Sequence, residues 1–449
     1  MTVFTPDIVL ENVPRYTSYP TAPHFHAGVG HGQFDSWLRA IKPGQTVSLY
    51  IHIPYCDQLC WFCACTTKHT QRYDVVTSFL TYLRREIETV GRIVKGKAKI
   101  GAVHFGGGSP TMLQPDDLLA LKTALGRAFD IRPDADISVE IDPRDMDGAR
   151  FQALASMGMT RASLGIQDFD EMVQKAINRH QSFELTRAVI DSVRIHGVKS
   201  VNVDLLYGLP FQTVDSVRST ITQTLSLKPD RIALFGYAHV PWLKKHQTMI
   251  KDEWLPDAGA RFGQTSAARE MILAAGYEEI GLDHFALPED SLSLVSVTGK
   301  LRRNFQGYTD DPYTTLIGLG PSAISQFPQG YVQNTPTTAA YQRAIAEFGL
   351  ASARGVLLSD DDRIRGWIIE QLMCNFGFSL WELVRNFGTA ARAIATEAET
   401  MAAMHTSGLF EWRDEGFRVT SMGKPLVRTI AARFDKYLST GRTKHSSAI

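Results

Sequence analysis

Short apolar runs alternate with amphipathic segments between about residues 45 and 240. Between two of these runs, the segment PDDLLALKTALGRAF places Leu118, Leu121 and Leu125 at helical spacing behind an acidic first turn. The six runs read TVSLYIHIP, IGAVHFGGG, ISVEIDP, RASLGIQ, SVNVDLLYG and RIALFGYAHVP. Strands that alternate with helices predict a parallel sheet of βα units. Six such units favour an α/β fold built as a full or partial (β/α)6 barrel, with an open doubly wound sheet as the alternative.

Polar, glycine or cysteine residues stand at the C-terminal end of every run. They are a group of cysteines, Gly106–Gly108, Glu140, Gln167, Asp204 and Ala238–His239. Asn202 and Asp204 alternate with apolar neighbours and therefore share one face of their strand. Ligands of barrels and of open α/β sheets bind at the C-terminal ends of the strands. We expect the binding site at this edge, with Asp204 inside the barrel mouth.

The regular alternation ends near residue 240. The stretch GKLRRNFQGYTDDPYTTLIGLGPSAIS predicts loops around another short strand. Further on, the chain reads as helices in DDDRIRGWIIEQLMCNF, SLWELVRNFG and TAARAIATEAETMAAMHTSG, a hairpin in LFEWRDEGFRVT and a last helix in MGKPLVRTIAARFDKYL. We expect an extended arm over residues 1–35, a barrel domain over 36–350 and a small, mostly helical, winged-helix-like domain over 351–449.

Composition and charge limit the kinds of binding partner that the chain is expected to have. The chain is 44% hydrophobic and 21% charged, with 47 basic and 47 acidic residues. This balance gives no argument for nucleic acid or an anionic membrane, and the C-terminal domain shows no basic stripe. The N-terminus lacks a signal-peptide pattern and no apolar run approaches the length of a membrane span. We therefore expect no nucleic-acid partner, no membrane insertion and a reducing cytoplasm.

Four of the five cysteines lie within ten residues of each other, directly after the first run: Cys56, Cys60, Cys63 and Cys65. Cysteines this close cannot all point into one core. Zinc sites usually pair two ligand dyads across a longer loop, although His52 and His69 could complete a tetrahedron, so zinc stays open. An iron–sulfur cluster suits thiolates in a short loop. The spacing C-x3-C-x2-C offers three ligands to four irons and leaves one iron open, as a catalytic metal requires.

These motifs resemble those of a known superfamily. CDQLCWFC after one strand and GGGSPT after the next are similar to the radical S-adenosylmethionine (SAM) enzymes, in which SAM chelates the fourth iron and is cleaved to a 5′-deoxyadenosyl radical. VPRYTSYPTAPHF, SLGIQDFD, NVDLLYGLPFQT, FGYAHVPW, GLDHFALPEDSL, RNFQGYT and GPSAIS extend the resemblance over nearly the whole chain. Together they resemble the oxygen-independent coproporphyrinogen III oxidases.

The resemblance implies an activity and a set of site residues. The substrate would be coproporphyrinogen III, whose ring A and B propionates are decarboxylated to vinyl groups in anaerobic haem biosynthesis, giving protoporphyrinogen IX. The protein would be a monomer that uses an electron donor, an electron acceptor and two SAM molecules. Cys56, Cys60 and Cys63 would hold the [4Fe–4S] cluster, and Cys65 would be catalytic. Tyr50, Gly107, Glu140 and Ile324 would contact the first SAM, and Phe62, Gly108, Ser109, Gln167, Arg179, Asp204 and Ala238 the second. Ser109 stands where the family more often has threonine.

Two other functions fit parts of the same pattern. One is a haem-chaperone-like protein that binds haem without decarboxylation, and the other is a different radical SAM reaction on a tetrapyrrole. Cys65 and the PRYTSYPT arm favour the oxidase. A substrate with four carboxylates calls for cationic side chains. The candidates are Arg15, Lys300, Arg302 and Arg303, each of which also fits an exposed surface position. Cys374, in the apolar context QLMCNFGF, is predicted to lie in a core.

Overall fold

The computed structural model describes residues 12–438, and the chain divides into two compact units. Among the described residues, the barrel unit comprises 25–275 and 313–357, and the composite unit comprises 12–24, 276–312 and 358–438. Segment 276–312 therefore groups with the composite unit, and residues 25–35 with the barrel unit, unlike the predicted boundaries at 35 and 350. The two ends of the predicted arm and C-terminal domain, residues 1–11 and 439–449, lie outside the described residues.

All six predicted strands are present, in parallel order. The first strands of the barrel unit are β1 (Gln45–Ile53), the short β2 (Tyr55–Cys56) and β3 (Lys68–His69), β4 (Ala98–Gly107), β5 (Asp130–Ile141), β6 (Arg161–Gln167), β7 (Ser200–Tyr207) and β8 (Arg231–Gly236). Apart from the short pair, each strand pairs in parallel with the next along the chain. The predicted parallel βα arrangement is confirmed.

Helices connect these strands, as the periodicity predicted. They are α1 (His31–Arg39), α2 (Tyr73–Val94), α3 (Pro115–Ala128), α4 (Gly148–Met157), α5 (Glu171–Ala176), α6 (Phe183–Ile195), α7 (Val214–Ser226) and α8 (Ala258–Ala274). Helix α3 buries Leu118, Leu121 and Leu125, the stripe identified in the sequence. Burial alternates in β7 up to Leu206, so Asn202 and Asp204 lie on the face opposite the buried valines.

Segment 276–312 contains more structure than its sequence predicted. It holds β9 (Glu278–Ile280), β10 (His284–Ala286), α9 (Ser291–Val297), β11 (Arg302–Asn304) and β12 (Gly307–Thr309). The strands form two antiparallel pairs. Strands of three residues are too short to show a period-two pattern, which is why they were missed.

The chain then returns to the barrel unit through β13 (Leu316–Leu319), β14 (Ile324–Phe327), β15 (Gly330–Asn334), α10 (Thr338–Phe348) and β16 (Ser352–Leu357). Strand β13 is the predicted short strand and pairs in parallel with β1, whereas β14 to β16 follow as an antiparallel meander. Within this unit the sheet runs β16-β15-β14-β13-β1-β4-β5-β6-β7-β8. Since β1 lies in the interior of this sheet, its C-terminal end is enclosed by neighbours on both sides.

The rest of the composite unit is mostly helical. Its elements are α11 (Asp360–Asn375), β17 (Gly377–Ser379), α12 (Leu380–Phe387), α13 (Arg392–Met404), β18 (Phe410–Arg413), β19 (Gly416–Val419) and α14 (Val427–Ala432). The predicted hairpin is β18–β19, to which β17 adds a third strand. The last helix is shorter than predicted because a 3₁₀ turn containing Pro425 precedes it and a turn follows it, where Asp435 accepts a hydrogen bond from the backbone of Tyr437.

Two further expectations concern burial and membranes. Cys374 is 2% exposed within an apolar cluster of the composite unit, so its predicted core position is confirmed. Within residues 12–438, no helix combines the length and the hydropathy needed to cross a bilayer.

Candidate active site

The cysteine-bearing loop and the C-terminal ends of strands β4 to β7 line one pocket. We call residues 55–69, from β2 to β3, the cysteine loop. Eleven predicted site residues line this pocket: Cys56, Cys60, Phe62, Cys63, Cys65, Gly107, Gly108, Glu140, Gln167, Arg179 and Asp204. Parallel strands bring their C-terminal ends to one edge, which explains why residues so far apart in sequence meet.

Four other predicted residues lie outside that lining: Tyr50, Ser109, Ala238 and Ile324. The hydroxyl of Tyr50 lies 3.0 Å from Nδ1 of His52. The buried hydroxyl of Ser109 donates to Asp145 at 2.5 Å. The carbonyl of Ala238 accepts a hydrogen bond from Gln247, and Ile324 pairs with β15. Their predicted contacts with SAM stay predictions.

The cysteine loop is closed by a two-residue parallel ladder between β2 and β3. Cys60 is 8% exposed, Cys56 and Cys63 are partly exposed, and Cys65 is exposed. The hydroxyl of Thr67 lies 3.1 Å from the sulfur of Cys56. The backbone N–H of Cys65 donates to the sulfur of Cys63 at 3.4 Å. Cys65 is therefore the most solvent-accessible residue of the four, and its backbone lies beside the sulfur of Cys63.

The thiols differ in acidity. Burial raises the pKa of Cys56 to about 12, whereas a hydrogen bond from Cys65 lowers the pKa of Cys63 to about 7. Iron binds thiolates, so assembly of a cluster must displace a tightly held proton from Cys56.

The residues present fit the predicted four-iron cluster. Three soft thiols on one loop face a pocket, and such ligands select iron–sulfur clusters. In the same pocket, Nε of Arg179 is buried without a hydrogen-bond partner, as expected where a polar ligand binds. Among residues 12–438, no three His, Cys, Asp or Glu side chains are gathered around a single ion position. A cluster places each thiolate on a different iron and does not require that arrangement.

An ion-pair network that the sequence reasoning missed supports Cys60. The carboxylate of Asp142 accepts hydrogen bonds from Arg144 at 2.6 Å and from Arg179 at 3.1 Å. Both guanidinium groups also point to the sulfur of Cys60, at 3.5 and 3.6 Å. Burial alone would raise the pKa of Asp142, but the two guanidinium groups outweigh it and hold that pKa well below its ordinary range. The sequence contained a signal for this network, because Asp142 stands two residues after Glu140 in the strand-end sequence EIDPRD.

The glycine run after β4 is required by the protein itself. A Cβ on Gly107 would lie 2.6 Å from the ring of His52, and this residue has φ of +118°. A Cβ on Gly108 would lie 2.5 Å from the carbonyl oxygen of Tyr55. The backbone N–H of Gly107 also donates to Glu140 at 3.1 Å. The absence of a side chain at these two positions therefore lets the ring of His52 and the backbone of Tyr55 approach closely.

Gln167 has an unusual backbone. It adopts φ of +71°, directly after a register shift in the β6–β7 ladder. The next residue, Asp168, is fully buried and accepts hydrogen bonds from Gln212 at 2.5 Å and from Thr220 at 2.9 Å. Burial raises the pKa of Asp168 to about 6. Asp168, which the sequence reasoning did not select although SLGIQDFD contains it, thus ties the residue after Gln167 to Gln212 and Thr220.

The predicted carboxylate-binding cations all lie in the composite unit. Arg302 donates to Glu370 at 2.8 Å, and the guanidinium of Arg303 lies 4.3 Å from the ring centroid of Tyr308. Lys300 and Arg15 are exposed. Arg302 therefore has a structural partner, and the substrate contacts of this set stay predictions.

Comparisons with known proteins agree with the site. The sequence model of the radical SAM superfamily matches residues 50–223. The oxygen-independent coproporphyrinogen III oxidases of Paracoccus denitrificans and Bradyrhizobium diazoefficiens are 45% and 44% identical, over 97% and 98% of this chain and 96% and 98% of theirs. The solved structure of the Escherichia coli coproporphyrinogen III oxidase, a radical SAM enzyme, superposes with a TM-score of 0.90 at 35% identity, over 95% of this chain and all of that one. The chain belongs to the family of oxygen-independent coproporphyrinogen III oxidases, within the radical SAM superfamily.

Proposed function

We propose that this protein decarboxylates the ring A and B propionates of coproporphyrinogen III oxidatively, without oxygen, to give protoporphyrinogen IX. The observation that carries the proposal is the pocket in which four cysteines meet the ends of β4 to β7. The near full-length similarity to enzymes of this name supports the substrate.

Three thiols and a set of strand-end groups serve the cofactors, which are a [4Fe–4S] cluster and SAM. Cys56, Cys60 and Cys63 would hold the cluster, and all three line the pocket. When bound, the cluster and SAM would supply a 5′-deoxyadenosyl radical able to abstract a hydrogen atom from a propionate β-carbon. A radical is needed because no ordinary base can deprotonate this C–H bond at neutral pH. The SAM contacts are those named above, including Tyr50, Ser109, Ala238 and Ile324.

The electrostatics of the pocket suit a zwitterionic ligand such as SAM. Burial would raise the pKa of Glu140, but hydrogen bonds from His104 and from Gly107 outweigh it and lower that pKa. Glu140 is therefore an anion that can accept from an ammonium or ribose hydroxyl group. Arg179 offers the opposite charge through its unpartnered Nε.

Cys65 is assigned to the substrate. It lines the pocket, is exposed and lies beside the third ligand, Cys63. From there its thiol can donate a proton or a hydrogen atom to the substrate, or position it. We further propose that the protein acts as a monomer in the cytoplasm and exchanges electrons with a separate donor and acceptor.

Turnover by anaerobically purified protein tests the proposal. The protein is reconstituted with iron and sulfide and supplied with SAM, a reductant and coproporphyrinogen III. We expect CO2 and protoporphyrinogen IX in a ratio of two to one. Formation of methionine without porphyrinogen turnover would contradict the oxidase assignment but would still agree with membership of the radical SAM superfamily. Tight haem binding with no turnover would instead identify a haem carrier.

A further inference from the structure

The cysteine loop is held mainly through its backbone carbonyl groups. Asn178 donates to the carbonyl of Leu59 at 2.9 Å, and Nε2 of His52 lies 2.9 Å from the carbonyl of Thr66. Between its closing strands the loop contains no helix or strand. Its shape therefore depends on side chains supplied by other elements.

A short segment after β8 supplies three such side chains. The amide of Gln247 donates to the carbonyl of Phe62 at 2.8 Å. Nε2 of His246 lies 2.6 Å from the carbonyl of Cys63, and since that oxygen can only accept, Nε2 carries the proton. The ammonium of Lys244 donates to the carbonyl of Cys65 at 2.8 Å. We call Lys244, His246 and Gln247 the loop anchor.

The anchor is itself fixed in place. Gln247 is fully buried, and its side-chain oxygen accepts from the backbone N–H of Val240 at 2.6 Å. The same side-chain amide lies 3.2 Å from the carbonyl of Ala238. Gln247 thus ties the end of β8 to the cysteine loop, and it sets where the side chains of Lys244 and His246 begin.

The three anchor contacts differ in what they hold. His246 contacts the carbonyl of Cys63, the third cluster ligand. Gln247 donates to the carbonyl of Phe62, the residue before it. The contact of Lys244 falls on Cys65, whose backbone N–H already donates to the sulfur of Cys63. The carbonyl of Cys65 also accepts from the backbone N–H of Thr67 at 3.1 Å. The ammonium adds a charge-assisted contact at the carbonyl, on the exposed side of the loop.

We propose that Lys244 is a positioning residue that fixes Cys65 over the pocket, separately from the groups that hold the cluster. The proposal rests on the proposed function for the roles of the four cysteines. The ammonium of Lys244 donates to the backbone of Cys65 and makes no hydrogen bond to the three ligands, which it influences only through its charge near Cys63. Its loss should therefore leave the cluster bound and misplace the fourth thiol. A thiol acting on the substrate needs placement to within a fraction of an ångström.

Lys244→Met tests this, since methionine keeps the length and removes the ammonium. Lys245→Met is the matched control, because Lys245 is the adjacent, exposed lysine. We expect Lys244→Met to retain iron content and SAM cleavage, while vinyl product formed per 5′-deoxyadenosine falls at least tenfold. Lys244→Arg should recover most of the loss, because a guanidinium can also donate to the carbonyl. Lys245→Met should behave as the wild type.

Hydrogen exchange provides a readout that does not depend on activity. In Lys244→Met without cofactors, amides of residues 57–70 should exchange at least threefold faster than in Lys245→Met, with other peptides unchanged. Equal exchange and equal coupling ratios in the two variants would overturn the proposal. Loss of iron from Lys244→Met would also overturn it, by showing that the lysine holds the cluster. If the wild type itself fails to turn over, the proposed function fails, and the exchange result still decides whether the anchor exists.

Discussion

Glu86 is a buried carboxyl group whose ionisation should weaken the barrel unit as the pH rises. It lies on α2, is fully buried and accepts hydrogen bonds from the backbone of Gly320 at 2.7 Å, from Asn334 at 2.8 Å and from Tyr341 at 2.6 Å. Burial raises its pKa from the ordinary 4.5 to about 7. The network matters for the site because a Cβ on Gly320 would lie 2.4 Å from the carbonyl oxygen of His52.

The direction in which the pH changes the stability follows from proton linkage. The folded state binds the Glu86 proton more tightly than the unfolded state, so this group's contribution is fully present below pH 4.5 and is lost as the pH rises through 7. At about 1.4 kcal/mol per pH unit across that window, raising the pH from 5 to 8 should cost about 2.5 kcal/mol. This corresponds to a fall of roughly 70-fold in the hydrogen-exchange protection of α2.

The assay is hydrogen exchange of peptides from α2 at pH 5 and pH 8, corrected for intrinsic rates. In Glu86→Gln the group no longer titrates, so its protection should change little over the same range. At pH 5 the variant should be less stable by about 1–3 kcal/mol, because its NH2 group faces one of the donors. Parallel pH dependence in the wild type and the variant would refute the reasoning.

Two further substitutions test the site. Gly108→Ala should destabilise the protein and abolish SAM binding, because the new Cβ would lie 2.5 Å from the carbonyl oxygen of Tyr55. Gly126→Ala is the control, since the space around Gly126 in α3 is open, and it should stabilise the fold by up to about 1 kcal/mol. Thermal unfolding and SAM titration of the two variants decide this, and equal behaviour would contradict it. Asp142→Asn should cost about 3–5 kcal/mol in urea unfolding of the cofactor-free protein, because it leaves the buried cations of Arg144 and Arg179 without their carboxylate. Unchanged stability would show that the two ion pairs of Asp142 do not stabilise the fold.

Much of the fold could be predicted because its signals are local. The six parallel strands each span at least six residues and carry several apolar positions, and α3 shows its apolar stripe directly. The antiparallel meander β14 to β16 and the hairpins of segment 276–312 could not be predicted, since strands of three to six residues show too few alternations. The grouping of segment 276–312 with the C-terminal helices rests on contacts between residues distant in sequence, such as that of Arg302 with Glu370.

The part of the site that depends on residue spacing in the sequence was predictable. The cysteines and the strand ends predicted the pocket, because parallel strands end at one edge. The supporting groups were not predictable in the same way. Lys244 and His246 look like surface residues in sequence, and only the fold brings them to the carbonyls of the cysteine loop. Glu86 is likewise an ordinary helix residue until β13, β15 and α10 enclose it.

The central claim is that three thiols hold the cluster while the fourth serves the substrate. Iron content and low-temperature electron paramagnetic resonance of the four single Cys→Ser variants, reconstituted in parallel and reduced with dithionite, test it most directly. We expect Cys56→Ser, Cys60→Ser and Cys63→Ser to lose the four-iron signal. Cys65→Ser should keep four irons per chain and a signal that shifts on addition of SAM, yet form no vinyl product. Loss of iron from Cys65→Ser, or full decarboxylation by it, would contradict the account.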